Sequence, residues 1–85
     1  MPEISRFFGI IVRMYYRDHD PPHMHVEYGE WHATIDITTG AIDGRFPRRA
    51  LQLVHEWLDL HRDELLADWH LAARREPLLP IRPLE

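Results

Sequence analysis

The chain has 85 residues, no cysteine and a formal net charge of −4, which points to one small domain (residues 1–85) without disulfides or thiolate metal sites. The acidic balance argues against a surface that coats nucleic acid with basic charge, although all ten basic residues are arginine, the side chain better suited to bidentate phosphate contacts. No apolar run is long enough to span a membrane and Met1-Pro2-Glu3 lacks the basic start of a signal peptide, so the expected location is the cytoplasm.

A hydrophobic content of 45% builds a core, but a thin one. A homodimer or a protein partner is an ordinary way for so small a domain to bury more surface. Residues 1–6 read as a lead-in. Phe7 to Tyr16 reads as a strand rich in β-branched and aromatic residues. Ile10, Val12, Met14 and Tyr16 form its expected core face, and Ile11, Arg13 and Tyr15 the other. Arg17 to Pro22 is a loop, stiffened by Pro21 and Pro22.

His23 to Tyr28 and Trp31 to Ile37 both alternate strictly, with Gly29-Glu30 between them. Gly at the first central position suits a two-residue type II′ hairpin turn. That turn sets a register in which Tyr28 faces Trp31, Val26 faces Ala33 and Met24 faces Ile35 on the core side. Glu27 then faces His32, His25 faces Thr34 and His23 faces Asp36 on the other side. Thr38-Thr39-Gly40 is a turn and Ala41 to Gly44 a short fourth strand or extended segment. Pro47 suits the start of a helix. Ala50, Leu51, Val54, Trp57, Leu58 and His61 recur at helical spacing, and Leu65, Leu66, Trp69 and Ala73 continue it from about Asp63. No Gly or Pro separates the two segments, so one kinked helix and two helices both fit. Pro77, Pro80 and Pro83 make the tail extended, with apolar residues to pack on the sheet or a partner. The expected fold is α+β: an antiparallel sheet of three to four strands, then one or two C-terminal helices packed on one face.

The densest chemistry is Asp18-His19-Asp20-Pro21-Pro22-His23-Met24-His25. His23 and His25 are two apart on a strand and share a face. Histidine titrates near neutral pH, so the pair suits base and acid roles in metal-independent cleavage of RNA. His23 is then the base, oriented by Asp36, and His25 the acid. Arg13 stabilises phosphate charge, and Tyr15 and Arg17 contact substrate. A second reading makes Asp18, His19, His23 and His25 nitrogen and oxygen ligands for zinc or another divalent metal. Each residue also has a plain structural account, as a turn former, a solvent-facing cross-strand neighbour or a core-edge side chain. His55, His61 and His70 fall on the helices, and Trp31, Trp57 and Trp69 read as core.

Ile4-Ser5-Arg6-Phe7-Phe8-Gly9-Ile10, Met14-Tyr15, Asp18-His19-x-Pro21-Pro22-His23-x-His25-Val26 and Glu56-Trp57-Leu58-x-Leu60-His61 resemble the bacterial domain of unknown function family DUF 4160 over nearly the whole chain. The resemblance implies no settled activity. It implies a small protein partner from a second uncharacterised family, DUF 2442, in toxin–antitoxin-like arrangements, and so favours an RNA-directed role. The layout is also loosely similar to HicA-type messenger-RNA interferases, but without their first helix or basic charge. The leading expectation is therefore a metal-independent ribonuclease in a toxin–antitoxin-like pair. The alternative is a non-enzymatic metal-binding or protein-interaction module.

Overall fold

The computed structural model describes residues 2–85. Five antiparallel strands run in sequence order across one sheet: β1 (Glu3–Phe7), β2 (Ile10–Arg13), β3 (His23–Tyr28), β4 (Trp31–Asp36) and β5 (Ile42–Arg45). A single helix, α1 (Arg48–Ala73), follows and covers one face. The α+β class is as expected, with more strands than the three to four foreseen and one helix. Non-helical torsions at His61 (φ −124°, ψ 22°) kink α1 at the place where the helical pattern is ambiguous.

The main difference lies at the start. Phe7 to Tyr16 is not one strand, and Glu3 to Arg6, expected to be a lead-in, belong to β1. Phe8 and Gly9, with φ of 50° and 81°, turn the chain, so β1 pairs back on β2. Gly9 meets this need because it takes positive φ without steric cost. Tyr16 leaves the core face and is 44% exposed.

The central hairpin has the expected register at every position: His23 opposite Asp36, Met24 opposite Ile35, His25 opposite Thr34, Val26 opposite Ala33, Glu27 opposite His32 and Tyr28 opposite Trp31. Gly29 takes φ of 58° at the turn. A slip by one residue would send Met24, Val26 and Ile35, all fully buried, to the wet face.

The core joins Ile10, Val12, Met14, Met24, Val26, Ile35 and Ile37 from the sheet to Val54, Trp57, Leu58, Leu65 and Trp69 from α1. Trp31 is 46% exposed and is not a core residue: it opens β4 at the hairpin turn, opposite Tyr28, the last residue of β3. Trp57 is buried and donates its Nε1–H to the Arg82 carbonyl at 2.8 Å, tying the tail to the helix. Ile81 of the tail is buried and its amide donates to the Ile4 carbonyl on β1 at 2.8 Å.

One buried group stands against this economy. Asp68 on α1 is 1% exposed, and its Oδ1 accepts the Leu79 amide at 3.0 Å. Its Oδ2 finds no hydrogen-bond partner among the described residues. Burial pushes its carboxyl above the ordinary range, against the Leu79 amide and with help from the charge of Glu64. The fold thus prefers the protonated acid, and stability present at low pH is lost as pH rises through the raised value. Asp68→Asn should therefore gain about 1 kcal/mol at pH 7, or ~5 °C in Tm. The gain should narrow as pH falls toward about 3, where the wild-type carboxyl is largely protonated in both states. Thermal melts of the two proteins at both pH values check this; an equal difference at the two would contradict it.

Candidate metal centre

The loop between β2 and β3 is fixed at both ends. Arg17, with φ of 54°, donates its amide to the Ala72 carbonyl at 3.1 Å, near the end of α1. The Pro22 carbonyl accepts the Ile37 amide at 3.0 Å, just beyond β4. Between them the Asp20–Pro21 peptide is cis. The loop carries Asp18 back over the start of β3, where His23 and His25 stand on the same face of the sheet.

Both rings reach one oxygen. Asp18 Oδ2 lies 2.9 Å from His23 Nε2 and 3.2 Å from His25 Nε2. Asp18 Oδ1 accepts the His19 amide at 2.9 Å and lies 2.8 Å from His19 Nδ1. The three side chains of Asp18, His23 and His25 are 18%, 12% and 23% exposed, so the cluster is largely shielded but reachable. Tyr15 stacks on His25 with ring centroids 4.0 Å apart and planes 16° apart. Trp69 of α1 lies 5.2 Å from the His23 ring. Each imidazole therefore has an aromatic neighbour that limits its rotation.

The second nitrogen of His23 defines the chemistry. Its Nδ1 lies 2.8 Å from the Pro21 carbonyl oxygen. A carbonyl accepts only, so Nδ1 carries the proton. Nε2 then faces the Asp18 carboxylate either as a second N–H donor, in the imidazolium form, or as a lone pair. A lone pair against a carboxylate oxygen is repulsive unless a cation lies between them. Burial pushes the Asp18 carboxyl up, but the hydrogen bonds from the His19 and His25 rings and the His19 amide, with the charge of His23, hold it well below the usual carboxylate range. The group facing the two imidazoles is an anion.

Asp18, His23 and His25 each offer one ligand atom, all within 4.8 Å of one another. Zinc ligands lie at roughly 2.0–2.2 Å from the ion, so the corners of its tetrahedron are about 3.3 Å apart. The observed 2.9 and 3.2 Å contacts are close to that spacing. A metal-bound histidine commonly donates its other N–H to a backbone carbonyl, as His23 does to Pro21. Beside the cluster an open depression of about 540 Å³ is lined by Tyr15, Thr34, Asp36, Ile42 and Asp43 among others, and by no arginine.

The other residues singled out in the sequence are placed differently. His19 contacts the far oxygen of Asp18 with its side chain 85% exposed, and falls outside the three-residue group. Asp36 stands opposite His23 in register, but its Oδ1 accepts the Thr38 and Thr39 amides at 2.8 and 2.9 Å. The Thr39 amide, with that of Thr38, lowers its carboxyl pKa. The expected role of Asp36 in orienting His23 is corrected: Asp18 and the Pro21 carbonyl do so. Arg13 pairs opposite His25 across the strands, but its Nε donates to Glu27 Oε2 at 2.7 Å. Tyr15 joins the cluster, whereas Arg17 is exposed and enters through its backbone alone. The Pro21 carbonyl and Trp69 were not legible as parts of the site, since a backbone acceptor has no sequence signature and Trp69 follows the ordinary core pattern. His55 bonds the Gly40 carbonyl at 2.8 Å and His61 contacts Glu64 at 2.6 Å, both structural.

The family model described as Domain of unknown function (DUF4160) matches residues 9–70, and the chain belongs to that family. No curated protein and no solved structure matches it.

The shared carboxylate carries a stability consequence. In chelator-treated protein, Asp18→Asn should cost about 1–2 kcal/mol, or roughly 5–10 °C in Tm, because it weakens the anchor of two largely shielded rings. Asp20→Asn, at an exposed loop position, should change little. Equal melting temperatures for the two variants would show that the carboxylate does not hold the rings.

Proposed function

We propose that this DUF4160 domain is a divalent-metal-binding module, with Asp18 and the Nε2 atoms of His23 and His25 as protein ligands for zinc or a similar ion. The observation that carries the reading is the convergence on Asp18: His23 Nδ1 is occupied by the Pro21 carbonyl, and the Nε2 atoms of His23 and His25 meet the same carboxylate oxygen. Two nitrogens and one oxygen suit a borderline divalent ion. Three protein ligands leave a fourth tetrahedral position for water or an exogenous group, and the neighbouring depression gives such a group room.

Metal-independent ribonuclease chemistry is the competing reading and has less support. Arg13 is engaged by Glu27, Asp36 by its own turn, and no arginine lines the depression where a phosphate would sit. The setting that the resemblance implies, a toxin–antitoxin-like pair with a small DUF 2442-like protein, belongs to this proposal as the place where the site is used.

Elemental analysis of tag-free protein should find about one equivalent of zinc, nickel or manganese. Zinc added to chelated protein at a hundredfold excess over its Kd should stabilise it by about 2.7 kcal/mol. His23→Ala should remove both the bound metal and the zinc-dependent rise in Tm. A Tm unmoved by zinc or chelator would argue against the site, and RNA cleavage in chelator by the wild type but not by His23→Ala would favour the competing reading.

A further inference from the structure

The two edges of the sheet differ. β1 is screened by the tail through the bond from the Ile81 amide to the Ile4 carbonyl. β5 forms the opposite edge, and all four of its residues are exposed. Its pairing with β4 sets Ile35 opposite Ile42, Thr34 opposite Asp43, Ala33 opposite Gly44 and His32 opposite Arg45. The Asp36 amide donates to the Ala41 carbonyl at 2.9 Å, so that pair is a hydrogen-bonded one. Hydrogen-bonded and non-bonded pairs alternate along an antiparallel ladder. Asp43 and Arg45 therefore turn their backbone groups toward β4, and Ile42 and Gly44 turn theirs to the open edge. Such a row of free N–H and C=O groups is a template for a further strand.

We propose that β5 pairs antiparallel with β5 of a second copy of this chain, about a twofold axis at Gly44, so that one sheet continues across both copies. The charges select this register. Centring on Asp43 would set that carboxylate against itself, and centring on Arg45 would oppose two guanidinium groups. Centring on Gly44 sets Asp43 against Arg45 of the second copy, and the reciprocal pair forms by symmetry. On the other face the same register brings Ile42, 37% exposed, beside the half-buried Phe46 of the second copy. Opposite charges and apolar pairs directly across strands each favour pairing. At the axis itself no side chain intervenes: Gly44 has φ of 110°, and a Cβ there would meet the Ala33 Cα at 3.1 Å. The contact is isologous and closed, as in most small oligomers.

The register has a consequence for the metal centre. Asp43 lines the depression beside Asp18, His23 and His25, whose lining in one chain includes no arginine. Arg45 of the second copy, paired with Asp43, brings a cation to its rim. The dimer does not depend on metal, and its failure would leave the metal reading untouched.

Light scattering and sedimentation of the tag-free protein in chelator, over a concentration series to about 1 mM, read the assembly. The expected mass is twice 10.2 kDa. Asp43→Arg and Arg45→Asp should each give a folded monomer by circular dichroism, and the double variant D43R/R45D should restore the dimer with the pairs inverted. In the wild type, exchange of the Ile42 and Gly44 amides should slow as concentration rises, while that of the exposed Arg48 amide stays constant. A wild type that stays monomeric throughout, charge variants that stay dimeric, or concentration-independent exchange at Gly44 would each overturn the proposal.

Discussion

One carboxylate oxygen serves two imidazoles, and the loop, the first half of β3 and the end of α1 are arranged to make that happen. Asp18 Oδ2 stands 2.9 Å from His23 and 3.2 Å from His25, while Oδ1 takes up the His19 amide. An anion this shielded is costly to bury without partners. Here Oδ1 accepts the His19 amide, Oδ2 lies within hydrogen-bond distance of two imidazoles, and the loop that carries it is tied by backbone hydrogen bonds to Ala72 and Ile37. The site is preorganised by bonds that have nothing to do with metal, which limits the ordering needed when an ion arrives.

The rest of the fold divides its labour around this point. α1 covers the face that carries Met24, Val26 and Ile35, so the face that carries His23 and His25 remains wet, as one face of an antiparallel sheet commonly does. The helix still reaches the site, because Trp69 belongs to the core and also lies against the His23 ring. A change in the packing of α1 is therefore felt at the Asp18–His23–His25 cluster, and the exposed face needs no separate scaffold.

Much of this was legible in the residues. The hairpin from His23 to Asp36 could be aligned residue by residue, because strict alternation and a glycine at the turn admit only one register with a buried apolar face. The polar cluster was visible as a local concentration of histidine and aspartate beside two prolines. Other parts were not. Phe7 to Tyr16 is apolar throughout, so the turn at Phe8-Gly9 is hidden in composition and only the glycine hints at it. The cross-strand position of Asp36 suggested a partner for His23, but a carboxylate at a strand end is within reach of the following turn amides, and these claim it. Trp31 follows the core alternation yet lies past the end of the covered region. Sequence periodicity reports which face a side chain takes and not how far along the strand its cover extends.

The central claim is that the convergence of Asp18, His23 and His25 is a metal site, and diffraction data collected at the zinc absorption edge from crystals grown with zinc test it most directly. The account predicts an anomalous peak about 2.1 Å from His23 Nε2, His25 Nε2 and an Asp18 oxygen, with His23 Nδ1 still bonded to the Pro21 carbonyl. No peak among these three side chains with zinc in excess, or zinc bound only elsewhere on the chain, would contradict it.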